Sequence, residues 1–389
     1  MKNYVLIELC NYSDYPMGGH LSFAKCLIAA FGPSIALVGV STDKDTPVAR
    51  WTKKTINGIE YDYFSVARIV PSSKKPLIPR RIVNFLHTFR YRRRILGYGC
   101  NNLIIQTPEV LFNFTKFPYL NMCVVLPGLN NPLELSRYKY ARMFSRIYDH
   151  YFYKSISRAT VVLAAASNDV ISEFLAKSHG AINKDRIFQF PTRFDSQIFC
   201  KRDKTSARIA VGLPRDKIIV LSSGRLSTHK GWKFMIDCYS LFLQKFPASM
   251  FILLGDGEDW DKIMLYLQQC CLSGAVILAG QVNENTLSEY LNSADIFIMG
   301  SYYEGWSTAL VEAVACQVPI CTTNFSSAKE LVDNGINGFV VDTRNEELFA
   351  EKMVECLNLS DKDLAAKADA VKQFSTLNLK ADLLKYWKT

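Results

Sequence analysis

The alternation running from residue 218 to residue 341 constrains this chain most. Apolar runs of strand length at 218–221, 250–254, 276–278, 296–299, 320–322 and 339–341 are separated by segments that each hold one amphipathic helix. Strands apolar on both faces and joined through helices pair in parallel, and the helices cover both sides of the sheet. The N-terminal half repeats the pattern less regularly. A strand at 4–9 is followed by a loop at 10–19 and a helical spacing through Leu21, Ala24, Leu27, Ile28 and Phe31. Further strands read at 35–40, 103–106, 122–126, 160–165 and 186–190. Asn57-Gly58 signals a hairpin within 51–66 that decorates the domain edge. Residues 133–158 read as one long basic helix.

A chain of 389 residues exceeds what one hydrophobic core supports, so two domains are expected. The polar stretch 201–215, broken by Gly212 and Pro214, reads as the linker. The expected domains are 1–200 and 201–375, with a last helix at 376–389.

Residues 300–319, GSYYEGWSTALVEAVACQVP, read as a loop that tips into a helix. Ala309, Leu310, Ala313 and Val314 recur at helical spacing, with Ser307 or Thr308 as the N-cap. A helix start presents unpaired N–H groups and a partial positive charge to phosphate or sugar oxygens. Gly305 lets a ligand approach the backbone. Glu304 lies in the loop and Glu312 more than a turn inside the helix on the same side, a pair of acceptors suited to sugar hydroxyls. The plainer reading is a capping acid and a solvated helix glutamate.

The same stretch resembles the E-x7-E signature of retaining glycosyltransferases of glycosyltransferase family 4. A second family element, Gly224-Arg225-Leu226-Ser227-Thr228-His229-Lys230-Gly231, lies upstream, with Gly255-Asp256-Gly257 and the run 276–280 between them. Pro319 to Thr323, Lys329 to Val332 and Asn337 to Val340 follow in the family's order. The likeness is clear over 210–345 and looser towards the N-terminus. It implies the α/β architecture called GT-B, two Rossmann-like doubly wound parallel-sheet domains with an interdomain cleft, whose last helix crosses back onto the first domain.

The resemblance also distributes roles. Arg225 and Lys230 meet the charge of a departing nucleoside diphosphate in place of a metal ion, and Gly224 and Gly231 allow the close turn. Glu304 takes a hydroxyl of the transferred sugar and Glu312 the ribose hydroxyls. The amides of Gly305, Trp306, Ser307 and Thr308 face phosphate and hexose oxygens. Gly280 and Val282 flank the base, and the diglycine Gly18-Gly19 lets donor phosphates approach. Where many family members carry a histidine near the donor sugar, this chain has Leu126 and Pro127. Transfer proceeds with retention, the leaving phosphate taking the acceptor's proton, so no enzymatic general base is nominated. The nucleotide sugar, UDP- or GDP-linked, is a substrate; no resident cofactor or metal is expected.

Charge is unevenly placed. The whole chain has 46 Lys and Arg against 36 Asp and Glu; residues 1–195 hold 26 and 13 of them, leaving 20 and 23. Residues 63–108 lack any acid, and an amphipathic pattern at 82–96 sets cations beside Val83, Phe85, Leu86 and Phe89. That is how a helix lying on an anionic bilayer looks, with Lys74, Lys75, Arg80, Arg81, Arg90, Arg92, Arg93 and Arg94 facing the membrane. A solvated surface helix and a single-strand nucleic-acid contact are the other readings. Eleven cysteines without a C-x-x-C pair suit a reducing compartment, and neither a membrane span nor a signal peptide is visible. The expectation is a cytoplasmic enzyme, peripheral at the inner face of the plasma membrane. It extends a glycan or lipid-linked acceptor in surface polysaccharide biosynthesis. A sugar-nucleotide epimerase or hydrolase of the same fold, and a noncatalytic basic adaptor for lipid or nucleic acid, are the competing readings.

Overall fold

Short strands buried on both faces build each of two sheets, as the apolar runs require. The computed structural model describes residues 2–16, 19–70, 80–129, 131, 133, 134 and 139–388, without the side chains of 80, 81, 139, 141 and 142. The chain divides into Met1–Thr192 with Leu377–Thr389, and Arg193–Thr376.

The first unit holds β1 (Tyr4–Ile7), β2 (Ile35–Ser41), β3 (Trp51–Ile56), β4 (Ile59–Arg68), β5 (Asn102–Ile105), β6 (Asn121–Leu126), β7 (Val161–Ala164) and β8 (Ile187–Gln189). They lie in the order β3-β4-β2-β1-β5-β6-β7-β8. Only β3 runs antiparallel, turned by Asn57 at φ 49° and Gly58 at φ 77°. The hairpin is more than an edge decoration: β4 pairs in parallel with β2, Leu37 opposite Tyr63, and extends the sheet. The segment 133–158 is not one helix. Asn131 accepts from Leu133 N–H and donates to Ser145 O and Asp149. This local side-chain bonding competes with a continuous helix. A 3-10 turn at Lys139–Phe144 then precedes the helix Ser145–Ile156. The C-terminal helix, Leu379–Tyr386, buries Leu379 and Leu383 in this unit's core. Trp387 is buried there too, its Nε1–H donating to Asn121 Oδ1 at 2.7 Å.

The second unit holds β9 (Ile218–Ser223), β10 (Ser249–Leu254), β11 (Val276–Gly280), β12 (Ile296–Met299), β13 (Ile320–Thr323) and β14 (Gly338–Val341), all parallel, in the order β11-β10-β9-β12-β13-β14. Residues 193–200 belong to this unit rather than to the first. Phe194 N–H donates to Phe374 O and Thr376 N–H to Phe194 O, and Arg193 Nη1 donates to Gln373 O. The expected linker at 201–215 is also structured. Asp203 caps a helix, Lys204–Ala210, by accepting from Ser206 N–H. Arg208, buried, is held by Asp295 and by the carbonyls of Ser293 and Arg215. Among the described residues no helix is long and apolar enough to cross a membrane.

Candidate active site

In the second unit β9 leads to β10 on one side and β12 to β13 on the other, so the carboxyl ends of β9 and β12 form the point where strand order reverses. Open α/β sheets bind ligands there. The loops leaving these strands, 224–231 and 300–307, meet because glycine lets backbone lie on backbone. A Cβ on Gly231, at φ 68°, would stand 1.8 Å from Gly300 O; one on Gly255 would stand 1.9 Å from Gly224 O. Tyr302 N–H donates to His229 O at 2.9 Å and ties the loops together.

Lys230 and Glu304 face each other across this junction, Nζ to Oε1 at 2.5 Å, and Ser301 Oγ donates to the same oxygen at 2.7 Å. The Lys230 ammonium lies 4.0 Å from where a Gly224 Cβ would stand. Arg225, more exposed, donates through Nε to Glu258. A small solvent-open depression is lined by Gly224, Arg225, Leu226, Lys230 and Ser301, among others. Two cations and a carboxylate thus share one junction; the arrangement can hold an anion beside a hydroxyl.

Ser307 is the N-cap of the helix Thr308–Ala315, its side chain accepting from Leu310 N–H. Its own N–H is spent on Ser327 Oγ, so it is not among the amides free to meet a ligand. Trp306 is buried and packs edge-on against Phe374, which makes it a prop for the loop. Glu312 is half-buried, and its carboxyl makes no hydrogen bond or ion pair among the described residues. Shielding from water pushes its carboxyl up to about 8, with a further push from Glu284. Glu284 opens the helix that follows the loop of Gly280 and Val282, so Glu312 lies on the side of that loop. Gly280, at φ 77°, accepts from Gly255 N–H. Gly305 and Thr308 are half-buried at the helix entrance.

In the first unit, Gly18 lies outside the described residues. Gly19 opens the helix Gly19–Phe31, with open space where its Cβ would stand. Lys74 and Lys75 also lie outside the described residues, and Arg80 and Arg81 begin the helix Arg80–Leu96. That helix buries Asn84, Thr88 and Ile95 and exposes Ile82, Leu86 and Phe89. Arg90, Arg93 and Arg94 are exposed beside them; Arg92 lies over the Phe89 ring at 3.8 Å.

Sequence reasoning missed two residues. Asp259 is buried and accepts from Thr228 Oγ1, Trp232 Nε1 and Lys262, fixing the Lys230 loop from behind. Nothing in GDGED marks it over its neighbours. Arg344 donates through Nη2 to the carbonyls of Gly300 and Ser301, and the sequence carries no signal for it.

Residues 203–373 match the family described as "Glycosyl transferases group 1". They form a group 1 glycosyl transferase domain. The chain is 26% identical over 156 residues to the poly(glycerol-phosphate) alpha-glucosyltransferase of Bacillus subtilis, 40% of this chain and 23% of that one. In the three relatives it matches first, the shared stretch covers only 40%, 23% and 50% of their length. Sucrose-phosphate synthase from Thermosynechococcus elongatus superposes with a TM-score of 0.75 at 17% identity, over 99% of this chain and 98% of that one. Anabaena HepE, solved with UDP and glucose, gives a TM-score of 0.72 at 16% identity, over 99% and 100%. The fold of the chain is therefore GT-B, as the resemblance implied.

Proposed function

We propose that this chain is a retaining glycosyltransferase of family 4 that moves a sugar from a nucleotide sugar to a glycan or lipid-linked acceptor in surface polysaccharide biosynthesis. The carrying observation is Lys230, seated on Glu304 over Gly224 at the strand-order reversal of a group 1 glycosyl transferase domain. A diphosphate gaining charge as it leaves is stabilised by fixed cations aimed at it. Lys230 and Arg225 supply them without a metal ion, and Glu304, released from Lys230 when phosphate arrives, accepts from a hydroxyl of the sugar. Glu312 meets the ribose hydroxyls beside the loop of Gly280 and Val282. The UDP complex of Anabaena HepE supports a uridine donor, and the Bacillus subtilis glucosyltransferase a polymeric acceptor. The second unit takes the donor and the first the acceptor.

The first unit also docks on anionic lipid. Ile82, Leu86, Phe89 and Arg93 recur at helical spacing on the exposed side of Arg80–Leu96, and Phe144, Ile147 and Tyr151 form a second exposed stripe. The helices flank residues 108–113, joined by the rings of Phe85, Phe112 and Tyr148. Apolar side chains ringed by arginine suit an anionic headgroup layer, which supports a peripheral location at the inner face of the plasma membrane.

A thermal-shift screen with UDP, GDP and ADP in EDTA tests the donor reading. One diphosphate should raise Tm in wild type and fail to do so in Lys230→Ala; stabilisation only with added divalent cation, or equal in both proteins, would refute it.

A further inference from the structure

Arg344 lies in the segment after β14, 40 positions from Glu304 in sequence, yet its guanidinium sits where the Lys230 and Glu304 loops join. Nη2 donates to Gly300 O at 2.8 Å and to Ser301 O at 2.9 Å, the two carbonyls from which the Glu304 loop departs. One face of the guanidinium covers the Tyr302 ring at 3.4 Å, and Phe234 lies 5.1 Å away. Nη1 is buried without a hydrogen-bond partner and abuts Gly231: a methyl there would stand 3.4 Å from it. The group therefore touches the residue after Lys230 and three residues before Glu304.

We propose that Arg344 is a positioning residue for diphosphate capture, clamping the loop of Glu304 onto the loop of Lys230. The physical case rests on what the clamp replaces. Both carbonyls face an interior where an unmet acceptor is costly; Ser301 O also accepts from Thr323 Oγ1 at 2.8 Å, and the guanidinium answers Gly300 O and Ser301 O together. The Tyr302 ring, half-exposed, gains a cation over its face and is drawn towards the same guanidinium. Tyr302 N–H can then reach His229 O, the bond that joins the two loops next to Lys230. Arg344 itself makes no hydrogen bond or ion pair to Lys230 or Glu304, so its effect passes through the backbone that carries them.

The inference deepens the donor reading above, and two readouts separate their failures. The first needs no ligand: amide hydrogen exchange at Tyr302. Arg344→Met keeps the stem and removes the donors; exchange at Tyr302 should quicken at least tenfold while β9 and β12 keep their protection. Arg344→Lys should restore most of it. The second is UDP affinity by calorimetry. R344M should weaken it at least tenfold and R344K less than threefold, and the R344M/K230A double variant should bind no more weakly than K230A alone. Unchanged exchange at Tyr302 in R344M, or losses from R344M and K230A that multiply, would overturn the clamp. Should R344M not fold, Tyr302→Ala at an exposed ring removes the guanidinium's platform; unchanged exchange at position 302 in that variant counts equally against it. If wild type binds no UDP, GDP or ADP, the donor reading fails and the exchange result still decides the clamp.

Discussion

At the strand-order reversal of the second unit a lysine ammonium rises beside a glycine and is answered by a glutamate. At the matching point of the first unit, between β1 and β5, the buried group is Glu8. It accepts from Thr107 Oγ1 at 3.0 Å and Leu9 N–H at 3.1 Å, with His20 Nδ1 3.5 Å from its other oxygen. Neither Lys nor Arg pairs with it among the described residues. The same sheet geometry thus presents a cation-lined junction in one unit and a carboxylate held by neutral donors in the other. The surfaces divide the opposite way: residues 1–195 carry the excess of cations, six of them on the helix Arg80–Leu96. Local arrangement, and not net charge, decides which unit suits a diphosphate.

The largest effect should come from how tightly the two glycine loops are built. Gly231→Ala meets a backbone oxygen at 1.8 Å and forces a side chain to φ 68°, whereas Gly19→Ala meets open space at a helix start. The first should cost on the order of 3 kcal/mol or more in denaturant unfolding. The second should be neutral or add about 0.5 kcal/mol, as Ala replaces Gly in a helix. Equal costs would mean that the second unit's junction is no more tightly packed than the first's.

Next is the charge contrast itself. Removing a charge-assisted hydrogen bond costs about 1.5–3 kcal/mol, so Lys230→Ala should weaken nucleoside diphosphate binding roughly 10- to 150-fold. Glu8→Gln keeps an oxygen for Thr107 and should leave that affinity within about twofold, since no cation is lost. Comparable losses from the two variants, measured by calorimetry, would break the assignment of the diphosphate to the second unit.

Much of this contrast was legible in the sequence. Apolar runs located the strands to within two residues, although not the parallel pairing of β4 with β2, and Lys230 of the Gly224–Gly231 element meets Glu304 at one junction. What escaped reading depends on contacts between distant positions. Arg344 meets Gly300 and Asp259 meets Thr228 only after the sheet has formed. The Trp306 ring packs on Phe374 from the end of the unit, a contact that spacing does not announce. The helix Lys204–Ala210 starts at the cap Asp203 in a polar stretch that Gly212 and Pro214 break, and a buried Arg208 cannot be told from a solvated one by sequence.

The surface contrast predicts a smaller effect. Leu86→Asp or Phe89→Asp removes an apolar side chain from the exposed stripe, and each should lower binding to phosphatidylserine vesicles about tenfold, given roughly 1.5–3 kcal/mol for burying such a side chain. Arg93→Gln should lower it about fivefold, at ~1 kcal/mol per cation near an anionic surface, and raised salt should erase that difference. Wild-type binding to neutral vesicles equal to that on anionic ones would leave the cations without a part.

The smallest effect concerns Glu312. Its folded carboxyl is pushed up to about 8 by shielding from water and by Glu284, above its ordinary value of 4.5. Between those values the unfolded chain has lost the proton and the folded chain keeps it, so the unfolded state binds fewer protons and stability falls as pH rises. Below the ordinary value both states hold the proton and nothing is lost. Glu312→Gln removes the titration. The residue is only half-buried, so solvent screening leaves a gain of about 1 kcal/mol at pH 8, or roughly 2–4 °C in Tm, and none at pH 4. Ribose hydroxyls that bonded the carboxylate would lower its proton affinity, so saturating UDP should flatten the wild-type decline and leave the variant unmoved. A decline that survives both the substitution and the nucleotide would assign the titration to another group and separate Glu312 from the ribose.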